Sequence, residues 1–154
     1  MAIPKSVSDF LKKNKIKYKV LKHKNAYTAQ EVAGAQRVSG HQVAKSVIVK
    51  IGKDFGIAVL PASFLVDFKK LKKTVGKFVS LAKEKEAKKI LPKDIKVGAQ
   101  PPFGTLYNLP TFIDKKLSEF DEIVATGGSY TDTLKMKVSD LLKVTKAKIS
   151  SFSK

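Results

Sequence analysis

Apolar residues recur along the chain with two different periods, and each change of period marks an element. Positions 6–14 carry Val7, Phe10 and Leu11 at the spacing that gathers side chains on one helical face. Positions 18–21 read as a strand, with a boundary near Lys15. Thr28-Ala29-Gln30-Glu31 is a capping box, in which the hydroxyl and the carboxylate each satisfy an amide that the first turn would leave open. A second helix is therefore expected to begin there and to stop before Gly40, with 34–40 as loop.

Two β-rich runs, 43–51 and 57–60, flank Gly52-Lys53-Asp54-Phe55-Gly56 and predict a hairpin at the centre of a sheet. Asp67 can cap a helix running to about Val75, and Ser80 is expected to precede another that ends at Pro92, both with lysine-rich outer faces. The stretch 97–104 holds two glycines and two prolines, too many breakers for helix or strand, and reads as a loop of defined shape. Strands follow at 111–114, 122–126 and 134–138, with Gly127-Gly128 turning between the last two. Ser139 is expected to cap a final helix through Val144, and the tail after Lys146 to fray. Helices and strands interleave without a βαβ rhythm, linker or repeat, which predicts a single mixed α/β (α+β) domain over 1–154, a curved sheet flanked by helices.

Composition narrows the chemistry. The 154 residues, 43% of them apolar, suffice for one hydrophobic core. There is no cysteine and there are two histidines, His23 and His41, so neither disulfides nor a metal site is expected. No apolar run reaches the roughly 20 residues of a membrane helix and positions 1–10 lack the apolar core of a signal peptide, so a cytoplasmic protein is expected. Charge changes the picture most: 31 Lys+Arg against 13 Asp+Glu leave a formal +18, which attracts polyanions. Arg37 is the only arginine, and lysines act as point charges suited to phosphate backbones rather than base edges. The same surplus would also serve solubility or a hot habitat.

Within the run 43–49, alternation puts Lys45 on the face of Val43, Val47 and Val49. An ammonium among valines is costly, so either its stem snorkels outward or its charge is kept for an anionic ligand. The loop from Gly98 to Gly104 can bring backbone amides close to a ligand and act as an oxyanion hole, or it can be a rigid turn. Gly127-Gly128 has the look of a turn alone. No nucleophile elbow, His–carboxylate pair, P-loop or dinucleotide fingerprint occurs, so hydrolysis without a covalent intermediate is the enzymatic reading left open, and no cofactor is expected.

Thr28-Ala29-Gln30-Glu31, Ala44-Lys45-Ser46, Leu60-Pro61-Ala62, Val66-Asp67, Gly98-Ala99-Gln100-Pro101-Pro102-Phe103-Gly104, Leu109-Pro110 with Asp114, and Gly127-Gly128 follow one another in an order that resembles the YbaK/prolyl-tRNA-editing family, over about 20–142. The resemblance implies a partly barrel-like sheet and an aminoacyl-tRNA deacylase, acting on tRNA(Pro) that carries a small wrong amino acid: alanine, cysteine, serine or threonine. It implies tRNA as partner, with an aminoacyl-tRNA synthetase as a further one, and neither metal nor membrane. Lys45 matches the family's essential lysine, and Gly98 to Pro102 match the loop that positions the ester. Ser46 is the small hydroxyl beside the lysine. Tyr27, Thr28, Phe103 and Ser129 flank the motifs as candidate pocket residues, with Pro102, Gly104, Gly127 and Gly128 as further substrate contacts. Lys45 is expected to anchor the 3′-terminal phosphate or polarise the ester rather than act as base. The rival reading is a non-catalytic RNA-binding module that uses the lysines alone; a membrane-surface protein would need a broader apolar helical face.

Overall fold

Valine and isoleucine at alternate positions make Val43–Ile51 the longest strand, β2, around which the sheet is assembled. The structure, a computed structural model, describes residues 3–22 and 42–154. The capping box at 28–31, the second helix, Tyr27, Thr28, His23 and His41 lie outside the described residues. Before β2 come α1 (Lys5–Lys13) and β1 (Tyr18–Lys22), matching the two apolar periods read there. β2 turns into β3 (Asp54–Pro61) with Ile51 opposite Asp54, so the loop is Gly52-Lys53 alone. This is shorter than expected. Gly52, at φ 60°, takes the left-handed first position of a two-residue hairpin turn, which frees 54–56 to join the ladder.

Helix α2 (Phe68–Val75) has the predicted bounds: the Asp67 carboxylate accepts from the backbone N–H of Lys69 and Lys70 at 3.1 and 3.2 Å, and Gly76 closes it at φ 81°. Ser80, in contrast, begins no helix. It lies in β4 (Val79–Leu81), opposite Lys50 of β2, because pairing carries Val79 into the core. Helix α3 (Glu84–Ile90) starts after Lys83, whose N–H donates to the Glu86 carboxylate at 2.9 Å. A 3₁₀ turn (Gly104–Tyr107) leads to β5 (Thr111–Asp114), α4 (Lys115–Ser118), β6 (Glu122–Thr126), β7 (Asp132–Lys137) and α5 (Val138–Thr145). Ser139 sits inside α5 rather than capping it, and the Val138 N–H is satisfied instead by the carbonyl of Asp121 at 2.9 Å.

The tail does not fray. β8 (Lys148–Ser150) pairs parallel with β5, Phe152 is fully buried, and the Asp114 carboxylate accepts from the N–H of Phe152 and Ser153 and from the Ser153 hydroxyl at 2.9 to 3.1 Å. The Asp114 carboxylate and the apolar residues that receive Phe152, all distant from β8 in sequence, supply what sequence period did not signal.

The sheet runs β1-β7-β6-β2-β3-β5-β8, with β4 also on β2; β2/β6, β3/β5 and β5/β8 are parallel. It is mixed, as expected, but among the described residues it is open rather than barrel-like, with β1 and β8 at the two ends of the strand order. One face packs on α1, α3 and α5 through Val7, Leu11, Ala87 and Leu141 against Ala44 and Ile48. The other packs on α2 and the tail through Leu71 and Phe152 against Val49, Ile51 and Leu60. Along one edge β2 is paired with β3 from end to end. Along the other, β6 reaches only Val43 and Ala44, and β4 only Val49 to Ile51. Positions 45–48 are therefore left between two diverging strands.

Candidate active site

At that gap lies a 540 Å³ cleft whose walls are β2 from Lys45 to Ile48, the α3 segment with Glu84 and Ala87, the loop residues Val97, Gly98 and Gln100, and Thr126 at the end of β6. A split between neighbouring strands exposes main-chain polar groups that a continuous ladder would consume, and each needs a partner. The Ile48 carbonyl accepts from the N–H of Ala82 at 3.1 Å. The Ser46 carbonyl accepts from the side-chain amide of Gln100 at 2.8 Å.

Gln100 organises the loop. Its Oε1 accepts from the Gly98 N–H at 2.6 Å while its Nε2 donates to Ser46, an arrangement that fixes which end of the amide is which. Its main-chain carbonyl accepts from the Thr126 hydroxyl at 3.0 Å. The side chain is buried, with 6% of its surface exposed. On the other flank, the Ala99 carbonyl accepts from the Gly128 N–H at 2.8 Å and the Gly128 carbonyl from the Lys96 N–H at 2.9 Å. The loop is thus tied to β2 by the Gln100 side chain, to β6 by the Thr126 hydroxyl and to the β6–β7 turn by backbone.

This geometry alters the expected role of Gly98. Its φ of 91° requires glycine, as a loop of defined shape suggested, yet its N–H is bonded to Gln100 and that of Ala99 to the Lys96 carbonyl. Neither amide is open to an oxyanion in this arrangement.

Lys45 projects to the face of Val47, Val49 and Ile51, and its Nζ donates to the carbonyl of Phe64 at 2.6 Å. No carboxylate pairs with it among the described residues. Burial alone pushes its pKa below the ordinary lysine value. Ser46, next in the strand, takes the opposite face with Ala44 and Ile48, and its buried hydroxyl has no hydrogen-bond partner among the described residues. Both residues line the cleft, which runs along the edge of β2.

Of the predicted site residues, the structure brings Lys45, Ser46 and Gly98 together. Pro102, Phe103 and Gly104 do not reach the cleft. Phe103 is fully buried and stacks on Phe10 with ring centroids 5.1 Å apart. Gly104 is crowded, since a Cβ there would overlap the Thr111 side chain and lie 2.7 Å from the Leu109 carbonyl. Pro102 is buried beside them. These three residues route the chain into the core.

Gly127 and Gly128 also have structural roles: a Cβ on Gly127 would stand 3.0 Å from Ile3, and one on Gly128 2.9 Å from the Pro4 ring. They let the segment before α1 press against the loop. Ser129 donates to the Asp132 carboxylate at 2.8 Å and closes the β6–β7 turn. Gln100 and Thr126 join the site without having been among its expected residues. A lone amide directly before a proline in a stiff loop was the available signal for Gln100, whereas nothing marks Thr126 until β6 is placed beside β2.

Comparison with known proteins bears on this arrangement. A family profile described as the aminoacyl-tRNA editing domain matches residues 23–144. No curated protein matches the sequence. Among solved structures, a hypothetical protein superposes with a TM-score of 0.88 at 22% identity, covering 97% of this chain and 100% of its own. A structure described as a candidate trans-editing enzyme for prolyl-tRNA synthetase superposes at 0.85 and 22% identity, covering 99% of each chain. A candidate signal-transduction protein from Marinobacter aquaeolei matches over 31% of its length and 98% of this chain, at 0.75 and 17% identity. At such identities the likeness is one of fold.

Proposed function

The chain belongs to the aminoacyl-tRNA editing-domain family, and from that membership we propose that it hydrolyses the ester of mischarged aminoacyl-tRNA at the cleft around Lys45. The observation that carries the reading is Lys45, half-buried in the strand that lines the cleft, with its ammonium held by a carbonyl and by no carboxylate among the described residues. A structural lysine would be expected to pair with an acid; this one keeps its charge for an incoming anion or a developing oxyanion.

In the reaction, water attacks the ester carbonyl carbon, negative charge builds on the carbonyl oxygen, and the tetrahedral species expels the ribose oxygen of the terminal nucleotide, which takes up a proton. The products are a free amino acid and tRNA with its terminal diol restored. Lys45 binds the 3′-terminal phosphate or the oxyanion. A positioned donor of this kind contributes roughly 3 kcal/mol to the transition state. With the Gly98 amide engaged by Gln100, the loop's part is to form the wall against which the ester lies, and the substrate's own 2′-OH assists the water.

The small apolar lining from Ala82, Ala87, Val47 and Val97 suits a small side chain, which supports alanine, cysteine, serine or threonine as the residue removed. tRNA(Pro) is the proposed carrier, a reading supported by the fold shared with the candidate prolyl trans-editing enzyme. A panel of tRNAs charged with these amino acids, incubated with wild type and Lys45→Ala, tests it. Release of the small amino acids by wild type only is expected. Equal release by the variant removes Lys45 from the chemistry, and no release from any member of the panel leaves the rival reading as an RNA-binding module.

A further inference from the structure

A second groove, of 550 Å³, lies beside the cleft and shares two of its walls, Glu84 and Val97. The two hollows differ sharply in charge. Among the described residues, Lys45 and Glu84 are the ionisable ones lining the cleft, whereas the groove adds Lys88 from α3 and Lys93 and Lys96 from the turn that follows.

All three lysines are exposed, and none is in an ion pair among the described residues. The acid that stands between two of them in sequence does not neutralise them. Asp94 is turned onto the start of α1, where it accepts from the Ser6 N–H at 3.0 Å and the Ser6 hydroxyl at 2.6 Å. The groove also contains an aromatic ring. Tyr130 is half-buried in it and its hydroxyl donates to the Val97 carbonyl at 2.9 Å, which fastens the ring to the wall the two hollows share. Three unpaired lysines against the single carboxylate of Glu84, beside an anchored aromatic ring, are the chemistry of a single-stranded nucleic-acid site, where cations track phosphates and the ring stacks on a base of any identity.

We propose that this groove holds the unpaired nucleotides next to the acylated 3′ end of the RNA, with their phosphates on Lys88, Lys93 and Lys96 and a base against Tyr130, so that the terminal ester crosses the Glu84–Val97 wall into the cleft. The proposal rests on the reading of the cleft as a deacylation site. It also accounts for a mismatch among the described residues: one lysine lines the cleft, and three more line the groove at its rim.

The test is binding of a short unstructured RNA ending in CCA, followed by fluorescence anisotropy across a salt series. Three phosphate contacts on a single strand give a log–log salt slope of about −2, so the groove should account for about an 18-fold loss of affinity between 50 and 200 mM salt. Combined Lys88→Ala, Lys93→Ala and Lys96→Ala should remove about that much of the slope. Combined Lys69→Ala, Lys70→Ala and Lys72→Ala on α2 deletes equal charge elsewhere and should leave the slope unchanged. Tyr130→Ala should weaken binding at least 5-fold, and Tyr130→Phe, which keeps the ring and loses the bond to Val97, should bind within 2-fold of wild type.

Equal effects from the α2 and groove triples overturn the proposal, as does a slope that survives the groove triple, or Tyr130→Ala binding like wild type. In deacylation the groove triple should raise KM for acylated tRNA with kcat unchanged, and should not affect hydrolysis of an aminoacyl-adenosine. If wild type deacylates nothing, the reading of the cleft fails while the anisotropy still decides the groove.

Discussion

Gln100→Glu is the most informative single change, because it keeps the shape of the side chain and reverses one of its two hydrogen bonds. In the wild-type protein Oε1 accepts from the Gly98 N–H at 2.6 Å and Nε2 donates to the Ser46 carbonyl at 2.8 Å. An ionised carboxylate keeps the first bond and turns an oxygen toward the second, so an acceptor faces an acceptor in a site with 6% of its surface exposed. Losing one such bond costs about 1 kcal/mol, and leaving the buried partner unsatisfied raises this to about 1–3 kcal/mol. Taken as about 2 kcal/mol, the loss lowers Tm by about 4–8 °C in a chain of this size.

When protonated, the introduced carboxyl again offers a donor, so the loss should vanish in acid. The Ser46 carbonyl and the burial raise the folded-state pKa of the introduced group above its unfolded value. Its stability contribution is therefore whole below the unfolded pKa and declines as pH rises through the folded one. Thermal unfolding of wild type and variant from pH 4 to pH 8 reads this directly. Convergence of the two Tm values at the acid end and separation at the neutral end is expected. A variant as stable as wild type at pH 8, or a deficit independent of pH, would refute the claim that this amide bridges the loop to β2.

Lys45→Met should abolish deacylation while the far-UV spectrum is retained. Because burial lowers the Lys45 pKa, the cost of its charge is present below the folded pKa and relieved as pH rises from there toward the unfolded value, so wild type should gain stability over that alkaline window and the Met variant should not. Phosphate affinity of the wild-type cleft should fall over the same window. Phe103→Ala should lower stability by about 3–5 kcal/mol in urea denaturation, with kcat/KM per folded molecule unchanged, since the ring fills the core rather than the cleft. Asp114→Ala strips the acceptor from three donors in the tail and should cost about 3 kcal/mol or more, seen as earlier proteolysis of the C-terminal residues than of the rest of the chain.

Local chemistry in the sequence was enough for several parts of this molecule. Asp67 caps α2 because its carboxylate needs only the amides two and three residues on, and the β2–β3 hairpin forms from neighbouring alternation with a glycine at the turn. The misplacement of Lys45 among valines was equally visible, since strand parity is a property of adjacent residues. That 98–104 is neither α-helix nor strand of the sheet followed from its glycines and prolines.

Other features depend on residues distant in the chain, and no window of sequence contains them. Ser80 enters a strand because β2 offers an edge, and the tail becomes β8 because Asp114 and a pocket for Phe152 await it. The order Gly98-Pro102-Phe103-Gly104 looked like one functional unit, but the fold divides it, sending the glycine to the cleft and the aromatic ring to the core. The site itself arises where β6 and β4 part along β2, and the Gln100 amide closes that gap from 54 residues away. Sequence determined which residues were chemically out of place; only tertiary pairing decided which backbone groups were left without a strand to bond, and a cleft forms where those groups must find other partners.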